Sequence, residues 1–353
     1  ELIPARAEKT KSDALRFVLI LTAATALVYF FFRGQLSYSV FMGLLILLIA
    51  GDLILVDKRY TAEAQRVDEE IDLSRAIERQ KSQTDQFIIE NNDSSQAYPF
   101  RTLNLERNTF NSATASYFYP TVGGYNGAKL SIFQDLLDEG ALIPGGNNLN
   151  FKLLGALNTR FIVARAGFQA PSINPVFSAG GVSVYENMEV LPKAFYVDSL
   201  VYAESNREAY NEIAKAGFEP SQYAVVQSTG ITNASYDSSA TANVTVYDNH
   251  TIEIESNRNS DGFMVIGEIY YPKGWKAYID GEEVPIVKTN YAMRGLEVPA
   301  GEHTIRMEFK PASFVIGSNI DWASNLIQFG LLGFFLFTVF RDRFSSADEE
   351  DEV

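Results

Sequence analysis

The chain contains no cysteine and only two histidines. The first absence excludes disulfides, thiolate zinc sites and cysteine nucleophiles, although it does not fix the redox compartment. His250 and His303 both lie in stretches that alternate as strands do. A histidine-based metal site or a Ser-His-Asp triad therefore has too little material, and neither is expected.

Positive charge is also scarce. The chain has 29 Lys and Arg against 44 Asp and Glu, a net charge of −15. A surface of this sign repels a polyphosphate backbone, so no nucleic-acid partner is expected. Part of the excess lies in the acidic tail at residues 341–353, which we interpret as a solvated chain end.

Three stretches are almost free of charge, at about residues 17–32, 40–56 and 320–340. A helix that crosses a bilayer needs about 20 apolar residues. A core helix of a soluble protein rarely stays apolar on every face over such a length. The sequence therefore predicts three transmembrane helices, two of them in the N-terminal part at residues 1–57.

Asp52 interrupts the second apolar stretch. An ionisable residue inside a span can line a polar pathway. It can also lie within about a turn of the headgroups, close to Asp57, Lys58 and Arg59. We favour the second interpretation and keep the first as its alternative.

The polar region between the second and third spans divides into three parts. Residues 58–91 are charged with loose helical spacing and predict a connecting helix. Residues 92–235 mix helical and strand patterns, and residues 236–313 show short alternating strands typical of an antiparallel β-sandwich. The predicted fold class is therefore an α+β membrane protein. We interpret the chain as a fragment, since it starts with glutamate and shows no signal peptide.

The stretch YYPKGWKAYIDG, residues 270–281, has two interpretations. Trp275 alternates with polar residues along a strand, which favours a core position. Tyr271 and its neighbours could instead leave rings exposed for a sugar. Asp280 and Gly281 are typical of a hairpin turn, because glycine readily accepts positive φ and aspartate does so with more difficulty.

The segment SYFYPTVGGYNGAKL contains Gly123, Gly124 and Gly127. Their spacing fits neither the dinucleotide-binding fingerprint nor the Walker motif. Turn geometry is the better explanation of these glycines.

Several segments together resemble the bacterial YfhO family, in its C-terminal portion and in Bacteroidota-type members. They occur in family order and cover most of residues 13–340. The segments are EIYYPKGWKAYIDGEEVPIVKTNYAMRGLEVPAGEHTIRMEFKP, RTLNLERNTFNSATASYFYPTVGGYNGAKLSIFQDLLD, LGALNTRFIV, LPKAFYV and DLILVDKRY. LPKAFYV departs from the family pattern, in which a Leu-Gly-Asn-Ala run is common, so no side-chain amide is assigned a role there.

The resemblance implies a multi-pass protein of the bacterial inner membrane, similar to GT-C glycosyltransferases. Such enzymes transfer a sugar from a polyprenyl-phosphate carrier to an acceptor on the outer face of the membrane. The large domain is then extracytoplasmic, whereas counting Lys and Arg beside the spans places it in the cytoplasm; we adopt the first orientation. The catalytic carboxylate of GT-C enzymes lies in an early external loop, which this chain lacks, so no catalytic, metal-binding or cofactor-binding residue is assigned.

Candidate glycan contacts are family-signature residues in the Gly-rich segment and in the C-terminal strands. Expected partners are the lipid bilayer, the remaining transmembrane helices of the parent protein, and a cell-envelope glycan or lipid-linked sugar. The candidates are Gly124, Tyr125, Gly127, Lys129, Tyr271, Trp275, Asp280, Gly281, Asn290, Tyr291 and Arg294.

The leading hypothesis for function is an accessory C-terminal part of a glycosyltransferase-like membrane protein, which binds or orients a glycan acceptor. The alternative is a non-enzymatic, membrane-anchored binding or scaffold module of the cell envelope. A transporter subunit would need more polar groups within its spans than Asp52, Asn325 and Gln328 provide.

Overall fold

The computed structural model describes residues 2–70, 77–92, 97–146, 148–228, 230–231 and 234–350. The chain divides into two compact units, Glu1–Gln80 and Lys81–Val353. Each unit is described by itself.

The first unit contains two long helices, α1 (Leu2–Phe32) and α2 (Tyr38–Glu70). Within them, Ala14–Phe32 and Tyr38–Lys58 are apolar stretches of 19 and 21 residues. At roughly 1.5 Å per residue, either stretch matches a hydrocarbon core of about 30 Å. Within the described ranges, these two helices are long and apolar enough to cross a membrane, which supports association with a bilayer.

Arg16 and Asp52 join the two apolar stretches. The Arg16 guanidinium donates to the Asp52 backbone carbonyl at 2.8 Å and also to its carboxylate. Pairing reduces the cost of a charge at the edge of a membrane. The contact gives Asp52 a structural role in the helix pair, and the pathway interpretation remains untested.

The predicted connecting helix at 58–91 is not one continuous helix, because the described residues 79–82 are not helical. Helix α2 continues to Glu70, residues 71–76 lie outside the described ranges, and α3 spans Gln83–Asn91. Ser82 begins α3 with a capping box, because its hydroxyl accepts from the Asp85 amide and the Asp85 carboxylate accepts from the Ser82 amide.

The third predicted span lies within a long C-terminal helix. Its side chains are apolar and exposed through much of the described part, for example Phe314, Trp322 and Phe329 at 74%, 69% and 72% exposure. The side chains of residues 335–336 and 339–350 lie outside the description. The third transmembrane helix therefore stays a prediction.

Three sheets form most of the second unit. The first sheet has the order β1-β2-β4-β3, with β1 parallel to β2 and the other neighbours antiparallel. Its strands are β1 (Arg101–Asn104), β2 (Thr159–Arg165), β3 (Ile173–Ala179) and β4 (Val182–Asn187). Between β1 and β2, the described residues form the α-helices α4 (Ser131–Asp138) and α5 (Phe151–Ala156).

The second sheet is mixed and has the order β5-β10-β14-β13-β7-β6. It is built from β5 (Ala194–Val197), β6 (Ser199–Tyr202), β7 (Tyr223–Val226), β10 (Gly262–Ile269), β13 (Val287–Thr289) and β14 (Met293–Val298), with α6 (Asn206–Ile213) between β6 and β7. The third sheet is antiparallel, in the order β12-β11-β15-β9-β8. It is built from β8 (Thr241–Tyr247), β9 (Thr251–Arg258), β11 (Trp275–Ile279), β12 (Glu282–Val284) and β15 (Gly301–Phe309), and helix α7 (Ala312–Glu350) follows.

Strand β10 is buried on both faces, which explains its continuous apolar run GFMVIG. Phe263 and Val265 join a large core that also contains side chains of α4 and α5. Met264 and Ile266 join a second core with Ile305 and other residues of the third sheet. The second and third sheets thus pack together through this second core.

The predicted boundary near residue 235 falls inside this architecture. Strand β5 pairs with β10, with Phe195 opposite Val265, and β7 pairs with β13. The second sheet therefore combines strands from both predicted regions. The β-rich region with several sheets is observed, and the self-contained sandwich at 236–313 remains an interpretation.

Candidate functional site

A cleft forms around the Gly-rich segment, and we call it the Gly-rich cleft. Its volume is about 450 Å³. Gly123 packs so closely that a Cβ atom there would lie 2.5 Å from Thr109 Cγ2 and 2.6 Å from the Thr109 carbonyl oxygen. Gly124 has a φ of 135° and donates its amide to that same carbonyl oxygen. The two glycines let the chain fold tightly against Thr109.

The cleft presents hydroxyl, amide and ammonium groups. The hydroxyls of Ser116 and Thr121 lie 3.0 Å apart, and Lys129 Nζ donates to the Phe110 carbonyl at 3.2 Å. Tyr125 lines the same cleft with 71% of its surface exposed. The lining residues are Arg101, Ala113, Ser116, Thr121, Val122, Gly123, Gly124, Tyr125, Asn126, Ala128, Lys129, Leu130, Phe133, Leu157 and Ile269.

Arg101 links the cleft to a buried group of charges. Its guanidinium donates to the carbonyl oxygens of Leu157 and Gly267 at 2.9 and 2.6 Å, and to Glu268 Oε1 at 2.7 Å. These bonds hold the Arg101 head on the inner wall. The electrostatic charge on this inner wall of the Gly-rich cleft therefore depends on the charged groups around Glu268.

We define the buried ion cluster as Arg101, Lys193, Tyr247, Glu268 and Arg294. Lys193 Nζ and the Tyr247 hydroxyl donate to Glu268 Oε1 at 3.0 and 2.8 Å. The Lys193 side chain is 1% exposed and lies 4.6 Å from the Tyr247 ring centroid, a cation–π distance. Five strand ends or flanks from three sheets therefore meet at one carboxylate.

The cluster strongly shifts the acidity of its members. Burial raises the pKa of Glu268, but attraction by Arg101, Lys193 and Arg294 outweighs burial and lowers that pKa to about 2. Burial, reinforced by repulsion from Arg101, lowers the pKa of Lys193 to about 8. Burial likewise lowers the pKa of Arg294 to about 10. At neutral pH the cluster holds more positive than negative charge.

A second, smaller pocket, the Trp275 pocket, has a volume of about 170 Å³. Its lining residues are Tyr270, Tyr271, Pro272, Trp275, Lys276, Glu283, Val284, Pro285, Ile286 and Arg294. Trp275 packs partly buried against the core of the second and third sheets. Its ring lies 4.1 Å from the Arg294 guanidinium carbon and 5.4 Å from the Phe309 ring. Trp275 thus serves the core and also forms a pocket wall.

Two predicted candidates shape the β11–β12 hairpin. Asp280 and Gly281 have φ values of 50° and 91°, as a tight turn between these strands requires. The Asp280 carboxylate contacts His303 Nδ1 at 2.6 Å and accepts from the Thr304 amide at 2.8 Å. These contacts assign both residues to the turn, as the sequence predicted.

Two others shape the turn between β13 and β14. Asn290 is buried, with a φ of 46°, and its side-chain oxygen accepts from the Val225 amide at 2.8 Å. Tyr291 has a φ of 64° and its hydroxyl donates to Asp135 at 2.6 Å. Asn290 holds β7 and Tyr291 holds α4, so both join separate elements.

The structure brings the predicted candidates together in two groups. Gly124, Tyr125 and Lys129 line the Gly-rich cleft, whereas Tyr271, Trp275 and Arg294 line the Trp275 pocket. Gly127 lies in the cleft loop with open space where a Cβ atom would be. The groups are neighbours, because Ile269 lines the cleft and the next residue, Tyr270, lines the pocket.

Sequence reasoning missed the connection between these groups. Arg101, Lys193 and Glu268 each stand as single charges beside apolar strand residues, in PFRTLNL, LPKAFYV and VIGEIYY. A lone charge in such a stretch signals a buried ion pair. Their partnership depends on sheet order, which no single stretch reveals.

Comparisons with known proteins identify one family. Residues 226–321 match the family described as bacterial membrane protein YfhO. No curated protein and no solved structure matches the chain. Within the described residues, no group of three or more His, Cys, Asp or Glu could hold a metal ion. The chain is therefore similar to YfhO-family bacterial membrane proteins over residues 226–321, and its two apolar helices support association with a membrane.

Proposed function

We propose that the second unit is an accessory, extracytoplasmic part of a multi-pass inner-membrane protein that resembles GT-C glycosyltransferases of the Bacteroidota type. In this proposal, the Gly-rich cleft binds a glycan acceptor and orients it for a sugar supplied by a polyprenyl-phosphate carrier. The reacting carboxylate belongs to a part of the parent protein outside this chain. The residues described above therefore bind and position.

The supporting observation is the chemistry of the cleft. Its volume of about 450 Å³ suits one or two sugar residues. Ser116, Thr121 and Lys129 offer donors and acceptors, and Tyr125 offers an exposed ring face. Sugars combine polar edges with apolar ring faces, so hydroxyl-rich walls beside an aromatic ring are suited to them.

Tyr125→Ala tests the binding proposal. We expect saccharide affinity to fall about fivefold to tenfold, since an aromatic contact contributes about 1 kcal/mol beyond buried area. The measurement is calorimetric titration of the full chain in detergent with oligosaccharides released from the envelope of cells that carry the gene. Tyr236→Ala is the matched control, because Tyr236 is equally exposed, at 73%, and does not line the cleft.

Equal losses in both variants, or none in either, would contradict a saccharide site in the cleft.

Deleting the parent gene tests the wider proposal. Envelope glycans should change and lipid-linked sugars should accumulate. Unchanged glycans, together with retained binding to an envelope protein, would favour the scaffold alternative.

A further inference from the structure

Arg294, a wall residue of the Trp275 pocket, has unused hydrogen-bonding capacity. The residue is 4% exposed and lines the pocket wall. Its Nε donates to the Ile269 carbonyl at 3.1 Å, while its Nη1 is buried without a hydrogen-bond partner among the described residues. A buried guanidinium donor left unpaired costs free energy. An anion in the pocket would supply the missing acceptor.

The charges behind Arg294 also favour an anion. Glu268 already accepts from Arg101 and Lys193, so it is shared among three cations when Arg294 is counted. Lys276 lines the pocket from the solvent side and pairs with Glu283 at 2.8 Å. The pocket thus sits in a positive region of a chain whose net charge is −15. Such a local potential attracts anions.

The pocket lies where the chain leaves the sheets and enters α7. The Lys310 amide donates to the Gly274 carbonyl at 2.7 Å, and Phe309 packs against Trp275. Helix α7 begins at Ala312 and exposes large apolar side chains from Phe314 onward. Aromatic residues such as Tyr271 and Trp275 are typical of the headgroup level of a membrane. This end of the domain is therefore suited to a lipid surface.

We propose that the Trp275 pocket binds the phosphate group of a membrane lipid headgroup through Arg294, with Lys276 at its entrance. The volume of about 170 Å³ admits a phosphate and its ester oxygens but no oligosaccharide. Glycerophospholipids and lipid-linked sugars share this phosphate chemistry. The site is separate from the Gly-rich cleft, so it does not depend on the function proposed for that cleft.

Trp275 itself reports on the site. The chain has two tryptophans, and Trp322→Phe leaves Trp275 as the single fluorophore next to Arg294. The full chain in detergent is titrated with mixed micelles containing phosphatidic acid, and separately with inorganic phosphate. We expect a saturable change in Trp275 emission with phosphatidic acid. Arg294→Met should weaken it about tenfold or more, because a charge-assisted hydrogen bond is lost while packing on Trp275 is retained.

Two further variants keep the test decisive if Arg294→Met unfolds. Glu283→Gln removes the carboxylate that pairs with Lys276, so it should strengthen phosphatidic acid binding about twofold to fivefold. Arg306→Met is the surface-charge control, since Arg306 lies on β15, beside the strand of Lys276, with a half-exposed side chain and outside the lining of the pocket. Arg306→Met should bind phosphatidic acid as tightly as the Trp322→Phe protein does.

Other results would overturn the proposal. If Arg294→Met and Arg306→Met weaken binding equally, surface charge alone attracts the lipid. If inorganic phosphate binds through Arg294 while phosphatidic acid does not, the ligand is a soluble anion. If Trp275 emission stays constant with both ligands, in the Trp322→Phe protein and also with Glu283→Gln added, a phosphate site is excluded.

Discussion

Glu268 accepts three hydrogen bonds of the buried ion cluster at a single oxygen atom. Arg101, Lys193 and Tyr247 donate to its Oε1 at 2.7, 3.0 and 2.8 Å. Removing one partner of a buried pair leaves an uncompensated charge, which destabilises far more than breaking a surface pair does.

Glu268→Gln should therefore lower the free energy of unfolding by about 3–5 kcal/mol. The measurement is chemical denaturation of the full chain in detergent, followed by circular dichroism. Glu139→Gln is the control, because Glu139 pairs with Arg207 at an exposed site. We expect the control to change stability by less than about 1 kcal/mol. Equal effects of the two substitutions would contradict a special role for the cluster.

Lowering the pH neutralises the Glu268 carboxylate without any substitution, and so tests the same interaction. The pKa of Glu268 is lowered from 4.5 to about 2 in the folded state, so its stabilisation is present above pH 4.5 and lost as pH falls toward 2. The shift corresponds to roughly 3 kcal/mol. The stability difference between the parent and Glu268→Gln should narrow over that window. A difference that stays constant from pH 6 to about pH 2 would show that the ionised carboxylate is unimportant.

At the scale of elements, the Gly-rich segment is a close-packed loop whose glycines differ in role. Gly123 abuts Thr109, whereas Gly127 faces open space at ordinary φ. The family resemblance alone does not separate them. Packing does, since only a Cβ atom at Gly123 would collide with backbone.

Gly123→Ala should destabilise the full chain by about 1–3 kcal/mol and reduce saccharide binding, because the loop must move away from Thr109. Gly127→Ala should leave both quantities within about 0.5 kcal/mol of the parent. Thermal unfolding and calorimetric titration measure the two effects. If Gly127→Ala is as harmful as Gly123→Ala, then loop flexibility, rather than packing, is what the glycines provide.

Much of the local structure could be predicted from the sequence. The alternation in TIEIES and HTIRMEFK predicted β9 and β15, and the apolar face of AKLSIFQDLLDEG predicted α4. The pairing of β5 with β10 could not be predicted, because the two strands are separated by more than 60 residues and many registers bury equally apolar faces. The same pairing brings Lys193 to Glu268, and a contact from the first sheet brings Arg101 there. Local patterns therefore indicated the candidates and missed their connection.

At the scale of the whole molecule, the two apolar stretches of α1 and α2 link orientation to a simple test. If both helices cross the membrane, the short connection between α1 and α2 lies on one side of it and the second unit lies on the other. In the proposed orientation, the second unit is extracytoplasmic and the connection is cytoplasmic.

The lack of cysteine makes single-cysteine labelling clean. Asn249→Cys, in the exposed turn between β8 and β9, should react with a membrane-impermeant maleimide in intact spheroplasts. Gln35→Cys, in the connection between α1 and α2, should react only after permeabilisation. The opposite pattern would place the second unit in the cytoplasm, as the local Lys and Arg count indicates.

The shared second sheet also determines how the second unit can be divided. A cut between residues 226 and 236 would separate β5, β6 and β7 from β10, β13 and β14. It would also separate Arg101 and Lys193 from Glu268. Each fragment would then carry half of a sheet and unbalanced buried charge. The two polypeptides should fold only when mixed, as complementing halves of one cooperative structure.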